Sequence, residues 1–228
     1  MTRKCDIDRI FKEKGKELGF DTIVAEFSPE REMKVNWTRT DRMIKLQVSD
    51  YLDEISERCM GKLADMLLSR MVNQRDVGFP AELLEYLYSE KFRAKKVPVY
   101  LSRIPNVSIG PEGRNVNLSR SMERLVRMGL VEPDDVLELR WIPMGSSSDV
   151  GHSSIFMRTI CMNRRLDTAF IPEEVLDLCL FTQVLFVQLG FAEDFNEKIA
   201  EYQRRLQEFP GFNRIRNVLE DAGLSIPC

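Results

Sequence analysis

The sequence predicts an α+β fold, and three stretches carry that prediction. "TIVAEF" and "MKVNWTRTDRMIKLQVSDYL" alternate apolar and polar residues with period two, as half-buried strands do. "EISERCMGKLADMLLSRMV" places Ile55, Cys59, Leu63, Met66, Leu67 and Met71 at helical spacing. "PEEVLDLCLFTQVLFVQLGF" is apolar on nearly every side, so a long buried helix is expected at 172–189. Strand and helix signals mix rather than strictly alternate. That favours a small antiparallel or mixed sheet packed with helices over a doubly wound parallel sheet.

The elements follow in order. Residues 7–18 carry a weak helical pattern (Ile7, Ile10, Phe11, Leu18) that Gly19 ends, read as a helical extension over 1–20. The period-two run then gives a hairpin or short antiparallel meander, with Val35, Trp37, Met43, Ile44, Leu46 and Val48 at strand positions and a turn around Arg39 to Asp41. Ser49 and Asp50 are cap-type residues ahead of the next helix. Pro80 opens a short helix, "AELLEYLYSEKF"; "VPVYL" and "NVSIG" read as strands, with "PEGR" a turn. Asn117 or Ser119 caps a helix in "NLSRSMERLVRMGLV", which Gly129 ends. "VLELRWIPM" is a strand, "GSSSDVGHSS" a small-residue loop, and "IFMRTICMN" a further strand. The long helix is opened by Pro172, complemented at its positive end by Glu173 and Glu174, and stopped by Gly190. An amphipathic helix, "DFNEKIAEYQRRLQEF", is cut by Pro210-Gly211, leaving a helical tail over 211–228. No repeat or long linker is legible, so one domain over 1–228 is expected.

Composition narrows the function. A net charge of −3, from 33 basic and 36 acidic residues, gives the chain no overall pull toward nucleic acid. "MTRKCDIDRIFKEKGKELGF" has no apolar core of a secretory signal, and Asp177, Thr182, Gln183 and Gln188 interrupt the greasiest helix. A cytoplasmic protein without a membrane partner is expected. Five scattered cysteines form no Cys-x-x-Cys pair, and Cys161 and Cys179 sit in apolar runs as small buried hydrophobes.

His152 is the only histidine, so a two-histidine zinc helix and a two-histidine facial triad are both excluded within one chain. Ser146, Ser147, Ser148, Asp149, Ser153 and Ser154 surround it in sequence without a nucleophile elbow, and a polar loop is the simpler reading. "SIGPEGRNVNLSRS" lacks the Lys-Ser/Thr of a phosphate loop. The basic runs "KFRAKK", "SRSMERLVR", "MNRR", "QRRL" and "NRIR" read as solvated helix faces, a nucleic-acid surface being the weaker alternative.

One resemblance bears on Thr182 and Gln183, the polar pair inside the greasy helix. From "SDYLDEI" through "YLSRIPNVSIGPEGRNVNLSRSMERLVRMGLV" to "GHSSIFMRTICMNRRLDTAFIPEEVLDLCLFTQVLFVQLGF", the chain resembles the minimal zinc metallopeptidases, the SprT-like zincins. In that family an Asn-x-x-Leu-Asp strand end precedes Pro-x-x-Val-Leu-Asp-x-x-Leu, and His-Glu-x-x-His follows. "MNRRLDTAFIPEEVLDLCL" matches the approach, but Thr182-Gln183-Val184-Leu185-Phe186 stands at the metal motif, and Phe191 in "FAEDF" at the third ligand. The resemblance thus implies a zincin-like domain with vestigial positions Thr182, Gln183, Phe186 and Phe191. Thr182 offers only a hydroxyl, Gln183 cannot take a proton, and neither phenylalanine can coordinate. No cofactor or metal is expected, nor an enzyme of that class. What remains is a binding or regulatory module with a protein or peptide partner, using the former active-site groove. A nucleic-acid-associated protein, or an enzyme of another class in the same cleft, are the alternatives.

Overall fold

Asp6 accepts the Arg9 N–H at 3.2 Å and starts helix α1 (Ile7–Glu17), whose Ile7, Ile10 and Phe11 are buried. Gly15 lets this helix lie on strand β1 (Thr22–Ser28), because a Cβ there would stand 2.0 Å from the Ile23 Cδ1. Helix α1, expected within a helical extension over 1–20, packs on β1 and contributes to the core of the first half. The computed structural model describes residues 5–40, 43–72, 78–143, 145 and 147–226, so Asp41 and Ser146, named above, lie outside them.

After β1, strands β2 (Val35–Arg39) and β3 (Met43–Ser49) form the expected hairpin. It does not continue into an antiparallel meander. β1 pairs with β3 in parallel, giving the mixed order β1-β3-β2. Ile23 and Ala25 of β1 and Ile44, Leu46 and Val48 of β3 are buried, while Trp37 on the edge strand is half exposed. Ser49 caps a single 3-10 turn, Asp50–Leu52, and Ser56 caps helix α2 (Glu57–Met71). Helices α3 (Ala81–Tyr88) and α4 (Glu90–Ser102) follow.

"VPVYL", expected as a strand, lies inside α4 with Pro98 within the helix. Phe92, Lys96 and Tyr100 bury one face at four-residue spacing, and the apolar period is hidden because its middle member is a lysine. The Lys96 ammonium is tied to Asp53 at 2.7 Å. "NVSIG" is no strand either. Ser108 instead makes a local contact with Trp141, donating its N–H to the Trp141 carbonyl at 2.9 Å and accepting the Trp141 N–H on its hydroxyl at 2.8 Å.

The second half repeats the plan of the first. Helix α5 (Leu118–Arg127), capped by Asn117, precedes strands β4 (Glu138–Ile142), β5 (Gly151–Ser154) and β6 (Thr159–Asn163). "GSSSDVGHSS" is thus only partly loop; its last four residues are β5, and Ile155–Arg158 turns into β6. The sheet order is β4-β6-β5, with β4 parallel and β5 antiparallel to β6. Helix α6 (Glu173–Gln188) follows, then α7 (Phe195–Leu206) and α8 (Phe212–Asp221).

Helix, strand, antiparallel edge strand, central strand, helix: both halves have this order. Even the parallel register agrees, since Thr22 meets Met43 and Glu138 meets Thr159, each 21 residues further along. Both central strands end alike, in Ser49-Asp50-Tyr51-Leu52-Asp53 and in Asn163-Arg164-Arg165-Leu166-Asp167. In each, the first residue caps a 3-10 turn and the leucine is buried. Where one domain without repeats is expected, the chain packs as two units, 1–100 and 101–228, each with its own mixed sheet. The class is α+β, as the sequence predicts.

In the second unit α6 is the central element. Its side chains join a core with Trp141, Ile160 and Met162 from the sheet and Leu118 and Leu125 from α5. Phe212, Ile215 and Leu219 of α8 belong to the same core.

Candidate functional site

The long helix expected at 172–189 forms with Pro172 as its N-terminal flank and Leu189 as its C-cap, and Gly190 leaves it at φ 66°. Neighbours on several sides explain why it has no polar stripe. Thr182 and Gln183 sit in its middle, 0% and 2% exposed. The Thr182 hydroxyl donates to the Cys179 carbonyl one turn back at 2.8 Å, and the Gln183 amide donates to the Thr182 oxygen at 3.3 Å. Both polar residues thus find hydrogen-bond partners within the helix itself.

Phe186, one turn beyond Thr182, is partly buried. Its ring meets Tyr202 of α7 edge-on, centroids 6.1 Å apart, and the Lys198 ammonium stands 3.8 Å from its centroid. Phe191 lies past the end of α6, its ring 6.0 Å from that of Phe156 in the β5–β6 turn. Thr182, Gln183 and Phe186 therefore share one helix segment, while Phe191 belongs to a separate aromatic pair. Lys198 links the two neighbourhoods, because it also donates to the carbonyl of Gly190, the residue before Phe191.

Sequence reasoning missed Lys198. It is 6% exposed although it sits on an otherwise polar helix, and burial lowers its ammonium to a pKa of about 8. The signal was its spacing from Tyr202 and Leu206, four and eight residues on, with which it shares the buried face of α7.

The other candidates are placed as follows. His152 and Ser153 are neighbours in β5, where successive side chains point to opposite faces, so they do not face each other. Ser147 bonds Asp149 at 2.9 Å within the preceding loop. Cys161 and Cys179 are fully buried, and burial pushes the Cys179 thiol far up, away from a reactive thiolate. Among the described residues no group of three His, Cys, Asp or Glu side chains is placed to hold a metal ion, and no helix is long and apolar enough to cross a membrane. The basic runs are largely engaged by acids. Arg204 pairs with Glu201 and Glu208, Arg214 with Glu174, and Lys95 with Glu54.

Two acidic residues between 163 and 177 have structural partners. Asp167 accepts the N–H groups of Arg114, Asn115 and Val116 at 2.6, 2.8 and 3.2 Å. Asp177, 4% exposed, takes both Arg124 Nε and Nη2 at 2.7 Å and the Ser121 hydroxyl at 2.5 Å. The Asn-x-x-Leu-Asp segment has conformational partners: Asn163 caps the turn by accepting the Arg165 N–H, Leu166 fills the core, and Asp167 clamps a distant loop.

Compared with family models, with curated proteins and with solved structures, the chain finds no match in any of the three.

Proposed function

We propose that the second unit is a zincin-like fold without catalysis, and that it works by binding a protein or peptide. The observation that carries this reading is the packing of the positions that the resemblance sets against a zinc peptidase's metal motif. Thr182 and Gln183 are closed off and mutually bonded, and Phe186 is packed by Lys198 and Tyr202. A neutral hydroxyl, a neutral amide and an aromatic ring supply neither metal ligands nor a general base. The order of elements also favours it: a mixed three-stranded sheet, an Asn-x-x-Leu-Asp turn, then the long helix.

Because Thr182 and Gln183 are enclosed, the usable part of the former groove is its rim. β5 is an edge strand of the sheet, and the half-buried Phe156–Phe191 pair lies beside its turn. An extended peptide would add backbone bonds along such an edge and seat an apolar side chain on the two rings.

The test has two parts. Elemental analysis of protein purified without chelator is expected to give less than about a tenth of an equivalent of zinc, with no cleavage of unfolded casein. A full equivalent, or casein cleavage by homogeneous protein, ends the non-catalytic reading. A random-peptide display selection on the immobilised chain is then expected to yield apolar, extended sequences whose binding Phe191→Asp abolishes. Sequences that bind Phe191→Asp equally well would place the surface elsewhere.

A further inference from the structure

Strand β2 leaves a row of backbone groups open at the edge of the first sheet. At the two ends of its ladder with β3, Ser49 donates its N–H to the Lys34 carbonyl at 3.1 Å and Thr40 donates to the Met43 carbonyl at 2.9 Å. Opposed residues of an antiparallel pair alternate between exchanging both bonds and exchanging none. Asn36 and Thr38 therefore turn their N–H and C=O toward β3. Val35, Trp37 and Arg39 turn theirs outward, where they meet no partner among the described residues.

The side chains of those three residues lie on the same side as Val48, Leu46 and Ile44, which stand opposite them and are buried. The apolar row of β3 thus runs on through Val35 and Trp37 and stops at the edge, with Trp37 52% exposed. Sheets ordinarily guard an edge with a proline, a bulge or a free lysine. β2 holds no proline, and its register against β3 is unbroken. Both nearby cations are drawn away: Lys34 pairs with Glu30 at 3.0 Å, and Arg39 donates to the Met71 carbonyl at 3.2 Å. In the second unit, by contrast, the chain covers the edge just ahead of β5 itself. Ser225 donates its N–H to the Ser148 carbonyl at 2.7 Å and accepts the Val150 N–H on its own carbonyl at 3.2 Å.

We propose that the open edge is covered by a second copy of this chain, β2 pairing antiparallel with β2 of that copy about a two-fold axis at Trp37. The strand is self-complementary in this register. Its outward groups at 35, 37 and 39 are symmetric about the axis, so each outward N–H faces an outward carbonyl. Val35 then stands opposite Arg39, Asn36 opposite Thr38, and Trp37 opposite its own copy, and no two like charges meet. The two indoles form an aromatic cross-strand pair and close the apolar row from both sides. Such a contact closes on itself, giving a dimer and not a fibre, and joins two three-stranded sheets into one. The pairing uses only the first unit and does not depend on the zincin-like reading of the second.

The experiment is sedimentation velocity on the full chain from about 1 to 200 μM, with hydrogen exchange at both ends of that range. A concentration-dependent dimer is expected, with the amides of Val35, Trp37 and Arg39 slowed at the high end and unprotected at the low end. Trp37 and the fully buried Trp141 are the chain's two tryptophans. Acrylamide quenching therefore reads Trp37 and should decline as the dimer forms. Trp37→Lys, which sets a guard charge at the centre of the edge, should remain monomeric with an unchanged circular dichroism spectrum. A wild-type chain that stays monomeric up to about 200 μM overturns the proposal and leaves the edge to a strand of another protein. A dimer that protects none of the three amides, or one that Trp37→Lys retains, places the contact elsewhere and overturns it equally.

Discussion

The ammonium of Lys198 stands 3.8 Å from the ring centroid of Phe186 and donates to the carbonyl of Gly190 at the end of α6. A cation at a helix C-terminus, over an aromatic face, is favourably placed on both counts. No carboxylate pairs with it among the described residues. Ring and carbonyl favour the charged form, but burial opposes them and holds the pKa at about 8, below the usual lysine value.

That shift has a defined sign. The folded pKa lies below the unfolded one, so between the two the unfolded chain holds the proton more tightly. The group's contribution to stability is full above the unfolded value and is lost as pH falls toward 8. Urea midpoints measured from pH 7 to pH 10 should therefore contain a rising component in the wild type that Lys198→Met lacks. Parallel profiles for the two proteins would mean that Lys198 titrates normally.

The pair itself can be weighed with a double-mutant cycle. Phe186→Ala should cost about 2–4 kcal/mol, at the low side of buried phenylalanine truncations because the ring is only partly covered. Combined with Lys198→Met, it should show a coupling of about 0.5–2 kcal/mol. Strict additivity would mean that the ring and the ammonium do not interact.

Asp167 offers a test in the opposite pH direction. Burial raises its carboxyl, but the N–H groups of Arg114, Asn115 and Val116, with help from Arg164, outweigh burial and hold it below the usual carboxylate range. A depressed carboxylate stabilises above its unfolded pKa, and that contribution fades as pH falls through the folded value. Asp167→Asn should therefore lose about 1–3 kcal/mol at pH 7, with the gap to wild type narrowing below about pH 4. A gap independent of pH would mean that the clamp works by shape rather than charge.

Asp177 should be the most sensitive single acid in the second unit. Replacing it with alanine leaves Arg124 and Ser121 facing a vacated, nearly closed position. The expected loss is about 2–4 kcal/mol, because removing one partner of a buried pair costs more than the pair contributes. Asp177→Ala with Arg124→Leu should recover part of it. A double variant no more stable than Asp177→Ala would show that the pair is not what holds α5 to α6.

Local signals were legible in the sequence where a segment's neighbours are apolar and its cap is polar. The long helix, the β2–β3 hairpin and the Asn117 cap all follow from such signals. α4 did not, because an ion pair between Lys96 and Asp53 lets a lysine stand on the buried face and breaks the apolar period. The parallel β1–β3 and β4–β6 pairings were not legible either, since nothing in a turn sequence specifies a partner across an intervening strand. The doubling of the plan was hidden for a related reason: at the matching strand ends only leucine and aspartate coincide, and these positions serve a turn. At the candidate site the sequence located Thr182 and Gln183 as the anomaly. It did not locate Lys198, which reads as an ordinary polar residue until α7 is seen against Phe186.

The last prediction concerns the zincin-like reading directly. Thr182→His with Phe186→His would supply two ligand types one helical turn apart, but Gln183 cannot act as a base and Phe191 cannot coordinate. The double variant is expected to show no peptidase activity. It should also be less stable, because the first imidazole enters a position that is 0% exposed and already filled. Adding zinc should recover some of that loss only if both imidazoles can reach one ion, which makes a zinc-dependent rise in melting temperature the informative readout. Peptidase activity in the purified double variant would show that the matched positions are misaligned. A melting temperature indifferent to zinc would show that residues 182 and 186 do not point at a common space, and the lost-metal account of Thr182 and Gln183 would fall with it.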